Sequence, residues 1–306
     1  MAYDNTRLIK EDVLFRGSEQ IAGSQYNDAV IRYLNRVYSG IAAGASEFVP
    51  EYVDDWWWLR DKGSFLIQPP ISLGTIQVVE GSTAVVFSSP PTISVAGYKL
   101  RVNGHPDLFT IATHTAASAN ATLDLAYTGT SGSGASFSLM RNLYTLDAAV
   151  SAMIGPITLY RSPWSVNGMT PEALDLRYPL AMLAEGMPEA FSLENEQTVR
   201  LSHGGLTNIT ARADYRYRPV VVALTDDVTS VPLIPQQFRH ILADAALTLL
   251  LIDKNDDRST AFATATRSAM AAMIKENRRR FLKIDRNLGH IFPRMAGRQP
   301  NSLLLE

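Results

Sequence analysis

Residues 235–253, PQQFRHILADAALTLLLID, decide the fold that the sequence predicts. Their apolar side chains recur three and four residues apart, and Pro235 suits the first turn of a helix. The stretch therefore predicts a buried helix over about 236–253. Its longest strongly apolar run, Ala245–Ile252, is far shorter than the roughly 18 apolar residues that a membrane-spanning helix needs, so we expect no contact with a membrane.

Two further segments have the same helical period. The turn at 255–257 leads into a second run from Ser259, whose alanine side chains allow another helix to approach closely. The two runs are expected to form an antiparallel helical hairpin. Residues 24–43 predict another helix with one apolar face, with Ser24 as its N-cap and Gly44 at its end.

Residues 63–140 are a different kind of structure. They carry only five charged side chains in 78 positions, against 19% charged residues overall. Apolar and polar residues alternate in short segments, as in Tyr98, Leu100 and Val102, and clusters rich in glycine, proline and serine separate these segments. The stretch predicts a small antiparallel β-barrel or sandwich of about six strands.

Another strand region follows at about 186–224, and we interpret it as a β-hairpin beside the helices. Its best segments are Thr198–Leu201 and Thr207–Leu224. The predicted fold class is α+β: a discontinuous helical bundle body from residues 1–62 and 143–306, which includes this β-hairpin and an extended C-terminal tail from about 287. The β-module, residues 63–142, is inserted into that body at a surface loop, where insertions are best tolerated.

Composition excludes several classes of protein. The chain has 46% hydrophobic residues, a formal net charge of −2 and no cysteine. It is thus neither disordered nor a general polycation, and it has no disulfides, thiolate metal sites or cysteine nucleophiles. The opening residues contain no apolar stretch like that of a secretion signal, so export by that route is not expected.

Catalytic chemistry has little support in the sequence. HExxH, GxxxxGK[ST] and GxSxG motifs are absent. His105 and Asp107 are close enough in sequence for shared metal ligation, but we favour their explanation as polar turn residues. The acid pairs at 54–55, 226–227 and 256–257 are typical of helix caps or solvent-facing turns. We expect no enzyme, no catalytic or metal-binding residue and no cofactor.

Trp56, Trp57 and Trp58 are candidates for contact between subunits. Three consecutive large aromatic side chains cannot all point into one core, whatever the backbone conformation. In one interpretation, two of them lie in the core and the third covers the junction with the β-module. In the other, one of them anchors an interface with another subunit or a partner.

The segment from Lys275 to Arg286 is strongly basic, with six cations and two acids, a net charge of +4. It reads either as a solvated helix end that complements the helix dipole or as a surface for an anionic partner. The tail after it contains prolines and glycines and ends in Leu303, Leu304 and Leu305, so we expect it to dock on another surface.

Several motifs together resemble the head-to-tail connector, or adaptor, proteins of tailed bacteriophages. The likeness extends over nearly the whole chain, although its motifs are loose. They are DDWWWLR at 54–60, GTI at 74–76, YTLD at 144–147, EGMPEAF at 185–191, YRYRP at 215–219 and VPLIP at 231–235.

The resemblance implies a structural virion protein at the head–tail interface, present in the host cytoplasm during assembly. It implies a ring, commonly of twelve copies, attached beneath the portal protein around a channel through which genome DNA passes without sequence-specific binding. Family members often consist of the helical body alone. We therefore assign the β-module, as a hypothesis, to binding of lower tail or fibre proteins. The candidates for portal contact are Arg278, Arg279, Arg280, Lys283, Arg286, Phe292, Leu303, Leu304 and Leu305.

Other interpretations stay open at this point. The chain fits another tail layer, such as a terminator or a nozzle component. A carbohydrate-binding or hydrolytic appendage would use Tyr98, Tyr127 and Tyr144 to stack on sugar rings, and a hydrolase would need two positioned carboxylates, which are scarce in the β-module. A nucleic-acid-binding module would use the basic segment 275–286.

Overall fold

The structure is a computed structural model that describes residues 3–19, 25–45, 47–159, 165–179, 185–205 and 209–291, and of residues 282–291 the backbone alone. The chain divides into two compact units. Unit 1 consists of Met1–Arg60 and Val221–Glu306, and unit 2 of Asp61–Val220. No helix among the described residues combines the length and the apolarity that crossing a membrane requires.

Unit 1 is helical. Its helices are α1 (Thr6–Arg16), α2 (Asn27–Ala42), α4 (His240–Asp253) and α5 (Ser259–Ile291), while α3 (Pro171–Arg177) belongs to unit 2. The middle of α4 is buried on every side, because α1, α2 and α5 all pack against it. Asn5 begins α1 by accepting a hydrogen bond from the backbone N–H of Leu8 through its side chain.

Unit 2 contains fifteen strands in two sheets among the described residues. The strands are β1 (Asp61–Ile67), β2 (Ile76–Val78), β3 (Ala84–Phe87), β4 (Lys99–Val102), β5 (Leu108–His114), β6 (Asn120–Leu123), β7 (Gly132–Ala135), β8 (Phe137–Met140), β9 (Leu143–Thr145), β10 (Val150–Met153), β11 (Ile157–Leu159), β12 (Ser165–Gly168), β13 (Ala190–Asn195), β14 (Thr198–Leu201) and β15 (Ala211–Pro219).

The first sheet has seven antiparallel strands in the order β7-β2-β3-β6-β5-β4-β8. Its end strands, β7 and β8, follow each other directly in the chain, so the sheet is nearly closed like a barrel. Alternate residues, among them Leu100, Ile111 and Leu139, are fully buried in a hydrophobic cluster formed by this sheet and its loops.

The second sheet has eight strands in the order β1-β15-β11-β12-β13-β14-β9, with β10 also paired to β15. All pairs are antiparallel except β12 with β13. At the two ends of this order, Phe65 of β1 and Tyr144 of β9 stack with their ring centroids 4.8 Å apart. The sheet therefore also curls into a nearly closed barrel with a hydrophobic cluster of its own.

The prediction of a helical bundle body with a small β-module is wrong. The chain is mostly β, with 28% of its residues helical, and both sheets are barrel-like. The sequence analysis assigned residues 143–219 to the helical body, but their described part contains β9–β15 and a single short helix, α3. The sequence analysis did not identify β9 to β12 as strands. Each is three or four residues long, too short for an alternating pattern to be distinguished from other structure.

The predicted strand region at 186–224 contains an antiparallel pair, β13 with β14, but the two segments named as its best strands do not pair with each other. β14 pairs with β13 and β9, whereas β15 pairs with β1, β10 and β11. The strand β1 lies about 150 residues before its partner β15 in the chain, so no local sequence pattern indicated this pairing.

The helical predictions are closer to the structure. The hairpin of α4 and α5 and the helix α2 are present, although α2 begins at Asn27 rather than near residue 24. Helix α5 continues to Ile291, beyond the predicted start of the extended tail at 287. Residues 292–306 lie outside the described residues.

A glycine in β1 makes room for an aromatic ring of β15. Gly63 is directly opposite Tyr215, and a Cβ atom at Gly63 would lie 2.3 Å from the Tyr215 ring. Gly63→Ala is therefore expected to lower the free energy of unfolding by about 1–3 kcal/mol, the usual cost of overpacking. Urea denaturation measures the change.

Gly132→Ala is the matched control, because Gly132 also lies in a strand of unit 2 and has no atom within 4 Å of an added Cβ. It should change stability by less than about 0.5 kcal/mol. Equal effects of the two substitutions would contradict the close packing of Tyr215 on β1.

Candidate interaction surface

Trp56 fixes the segment between α2 and β1 in unit 1. Its side chain is fully buried in the hydrophobic cluster around α4, and its Nε1 donates a hydrogen bond of 2.7 Å to the carbonyl oxygen of Ile41. The rings of Trp57 and Trp58 lie against it, with centroids 6.5 and 5.9 Å away, and both stay partly exposed. Trp56 is therefore not available for contact with another subunit, whereas Trp57 and Trp58 are.

Asn277 of α5 holds this segment by its backbone. Its Oδ1 accepts a hydrogen bond of 3.0 Å from the backbone N–H of Trp57, and its Nδ2 donates one of 2.9 Å to the carbonyl oxygen of Asp55. The side chain of Asn277 is buried. Because both ends of the amide are used on an irregular segment, this one residue fixes the tryptophans against α5.

Two arginines lie over aromatic rings at the same place. The guanidinium of Arg280 is 4.9 Å from the centroid of the Trp57 ring, and that of Arg60 is 4.3 Å from the Phe281 ring. Arg60 also donates to Asp55 from its Nε at 2.7 Å. We call Trp56–Trp58, Arg60, Asn277, Arg280 and Phe281 the Trp–Arg cluster.

A cleft of about 320 Å³ opens beside the Trp–Arg cluster. Its lining combines apolar side chains with acids and arginines. The lining residues are Tyr52, Val53, Asp54, Asp55, Arg60, Ile274, Asn277, Arg278 and Phe281. A lining of this kind suits binding of a polar surface. The described residues contain no group of three histidine or acidic side chains that could hold a metal ion.

Three arginines of the basic segment, Arg278, Arg279 and Arg280, have partners within the chain. Arg278 pairs with Glu51 at 2.7 Å, and Arg279 and Arg280 pair with Glu276 of the same helix. The side chains of Arg278 and Arg279 are nevertheless 65% and 66% exposed. Ion pairs this exposed contribute little to stability, so both arginines can also meet an external partner.

The structure brings together two sets of residues that the sequence analysis named separately, the tryptophans at 56–58 and the arginines at 278–280. Lys283 and Arg286 are residues of α5, but their side chains are outside the described part of the chain. Phe292, Leu303, Leu304 and Leu305 are outside the described residues altogether.

The sequence analysis missed Asn277, the residue that joins these two sets. Met270, Met273 and Ile274 are buried on one face of α5, and Asn277 continues that face three residues after Ile274. A single amide at a buried helical position indicates a specific hydrogen-bond partner, because a buried polar group is costly without one. That signal was available in the sequence.

The aromatic residues proposed for sugar stacking are inside unit 2. Tyr98, Tyr127 and Tyr144 are at most 3% exposed, and burial raises the pKa of each phenol. The ring of His105 packs against Tyr127 with centroids 5.3 Å apart, while its Nδ1 accepts a hydrogen bond from the backbone N–H of Asp107. These tyrosines therefore offer no surface to a sugar, and His105 has the role of a turn residue.

Removing the amide of Asn277 should loosen the Trp–Arg cluster. Asn277→Ala leaves the partly buried N–H of Trp57 and carbonyl of Asp55 without this partner, and an unsatisfied group that is buried costs about 1–3 kcal/mol. We expect a loss of about 2–4 kcal/mol in the unfolding of unit 1. Tryptophan fluorescence during urea denaturation reports it, because three of the four tryptophans are at 56–58.

Arg279→Ala is the control on the same helix, since it removes only an exposed ion pair. It should change the same transition by less than about 0.5 kcal/mol. A similar midpoint for Asn277→Ala and the unchanged protein would show that the amide does not hold the tryptophan segment.

Comparisons with known proteins leave the function to be inferred from these residues. No family model matches the sequence, and no curated protein is significantly similar to it.

Proposed function

We propose that this chain is a structural protein of a tailed bacteriophage, a head-to-tail adaptor that forms a ring beneath the portal and joins the capsid vertex to the tail around a channel for the genome. The proposal starts from the sequence motifs that resemble this family. It requires surfaces for neighbouring copies, for the portal and for a tail component, and it requires no catalytic group.

The length of α5 is the observation that carries the proposal. Helix α5 has 33 residues against 14 in its hairpin partner α4, so it is longer by 19 residues, about 28 Å. The Trp–Arg cluster supports this helix as far as Phe281. A basic helix that runs this far past its partner and is braced at its base is suited to reach a separate protein such as the portal.

The separation of the hydrophobic clusters supports a protein with several partners. One cluster belongs to unit 1, and each sheet of unit 2 has its own. Surfaces built on separate cores can bind different partners without repacking one another. In the proposed adaptor, the basic end of α5 contacts the portal and the seven-stranded sheet contacts a lower tail or fibre protein.

Co-sedimentation with the portal protein of the same virus tests the proposal. The purified chain should join the portal in a fixed stoichiometric ring. Replacing Arg278 and Arg279 by glutamate should weaken this association by at least about tenfold, because exposed cations at the contact are reversed. Unfolding should change by less than about 1 kcal/mol.

Glutamate substitutions at Arg32 and Arg267 are the matched control, since both side chains are exposed and lie elsewhere in unit 1. They should leave portal binding unchanged. If the chain does not bind the portal at any molar ratio, the adaptor proposal is wrong.

Excision of the seven-stranded sheet tests its separate role. The chain enters and leaves this sheet at adjacent points, because Ile71 and Leu139 exchange two backbone hydrogen bonds of 3.0 and 2.8 Å. Pro70 can therefore be joined to Arg141 by a short Gly-Ser linker without disturbing the other hydrophobic cluster of unit 2.

The shortened chain is expected to keep portal binding within about twofold and to lose binding to the tail or fibre protein. Sedimentation with each partner in turn measures both. Loss of the ring from the shortened chain, or retained binding to the tail protein, would remove the seven-stranded sheet from this role.

A further inference from the structure

A basic strip runs along the exposed face of β1 and β15. Lys62 and Arg216 are directly opposite each other in the antiparallel register of these strands. Arg212 and Arg218 lie on the same face, at residue separations of four and two from Arg216. We call Lys62, Arg212, Arg216 and Arg218 the basic strip; with Asp214 on the same face, its net charge is +3.

The alternation of β15 fixes the direction of these cations. Ala213, Tyr215 and Tyr217 are buried in the core of the sheet, so the residues between them must face outward. Like charges directly opposite each other destabilise a strand pair. Neither Lys62 nor Arg216 has an ion pair with a carboxylate anywhere in the described part of the chain. Arg212 of the strip pairs with Asp214 at 2.6 Å, while Lys62 and Arg216 are exposed cations that an external anionic partner could contact.

The same sheet carries an acidic face. The segment from Glu172 to Arg200 contains six acids and two arginines, a net charge of −4. All six acids are exposed on α3, on β13 and on the loops beside them. The residues of the acidic face are Glu172, Asp175, Glu185, Glu189, Glu194 and Glu196.

The basic strip and the acidic face lie on opposite sides of this sheet. In the strand order, β11 and β12 separate β15 from β13. Where the first and last strands of this order approach each other, β9 lies between β1 and β14. Two complementary patches on opposite sides of one subunit are the requirement for a heterologous contact, which produces a ring when the rotation between copies closes.

Each patch also has an exposed leucine that can form the apolar centre of an interface. Leu66, opposite Arg212 on the face of the basic strip, is 54% exposed, and Leu176 of α3, beside Asp175, is 85% exposed. Interfaces typically have such an apolar centre with charged residues around it.

We propose that the basic strip of one copy binds the acidic face of the next copy, and that this contact between eight-stranded sheets sets the neighbour-to-neighbour geometry of the ring. The inference rests on the proposed ring-forming function and specifies its subunit interface. A nucleic acid is the other polyanion that a row of arginines suits. The second copy is favoured because the chain itself supplies the complementary surface.

Charge exchange between the two patches tests this contact. The first variant carries Lys62→Glu and Arg216→Glu, and the second carries Glu172→Lys and Glu196→Lys. All four side chains are exposed, and none forms an ion pair among the described residues. A control variant carries Arg32→Glu and Arg101→Glu, two exposed arginines that belong to neither patch.

Sedimentation of the full chain, alone and with the portal protein, measures ring formation. Each variant alone should associate at least about tenfold more weakly than the unchanged chain, and the control should match the unchanged chain. An equimolar mixture of the two variants should recover association, since every neighbouring pair can again be complementary. A chain with all four substitutions should also associate. The association of the unchanged chain should weaken as the salt concentration rises.

Three results would overturn the inference. If both variants form rings like the unchanged chain, the subunits meet elsewhere, and the adaptor proposal stands because portal binding is intact. If the first variant forms rings but loses binding to a random-sequence DNA duplex, the basic strip is a nucleic-acid surface. If the unchanged chain neither associates with itself nor joins the portal, the proposed function and this interface fail together.

Discussion

The pairing of β1 with β15 is the constraint on which the rest of the structure depends. Seven consecutive residues of Asp61–Ile67 pair antiparallel with Ala211–Tyr217, beginning at Asp61 opposite Tyr217. Unit 1 ends at Arg60 and resumes at Val221, so the chain leaves and rejoins it at neighbouring points. Because of this pairing, 160 residues of sheet structure can interrupt a helical unit without separating its two halves.

Local patterns predicted the parts of the fold that depend on local contacts. The apolar period around Leu242 and Leu249 located α4, and the low charge density and alternation around Leu100 located strands of the seven-stranded sheet. The eight-stranded sheet was missed, because β9 to β12 are short and the pair of β1 with β15 joins segments about 150 residues apart. Sequence patterns carry the period of an element but not the identity of a distant partner.

The candidate surface shows the same division. The tryptophans at 56–58 and the arginines at 278–280 were recognisable as unusual runs, whereas their meeting depends on the side-chain amide of Asn277 and on the stacking of Arg280 over Trp57. Trp56 shows that consecutive aromatic residues need not form one exposed surface. Its side chain is fully buried, whereas Trp57 and Trp58 are partly exposed. Which of them faces inward is decided by the position of α4, and a pattern of residue types does not contain that information.

The insertion of unit 2 also sets the order in which the protein can fold during synthesis. Helices α1 and α2 pack on α4, which is translated only after the 160 residues of unit 2. At about 5–20 residues per second, this interval lasts roughly 8–32 s. Unit 2 is continuous and has its own hydrophobic clusters, so it can complete its sheets while the apolar faces of α1, α2 and the Trp56 segment still lack their partner. The helical unit is therefore the last to form and the part of the nascent chain most exposed to aggregation.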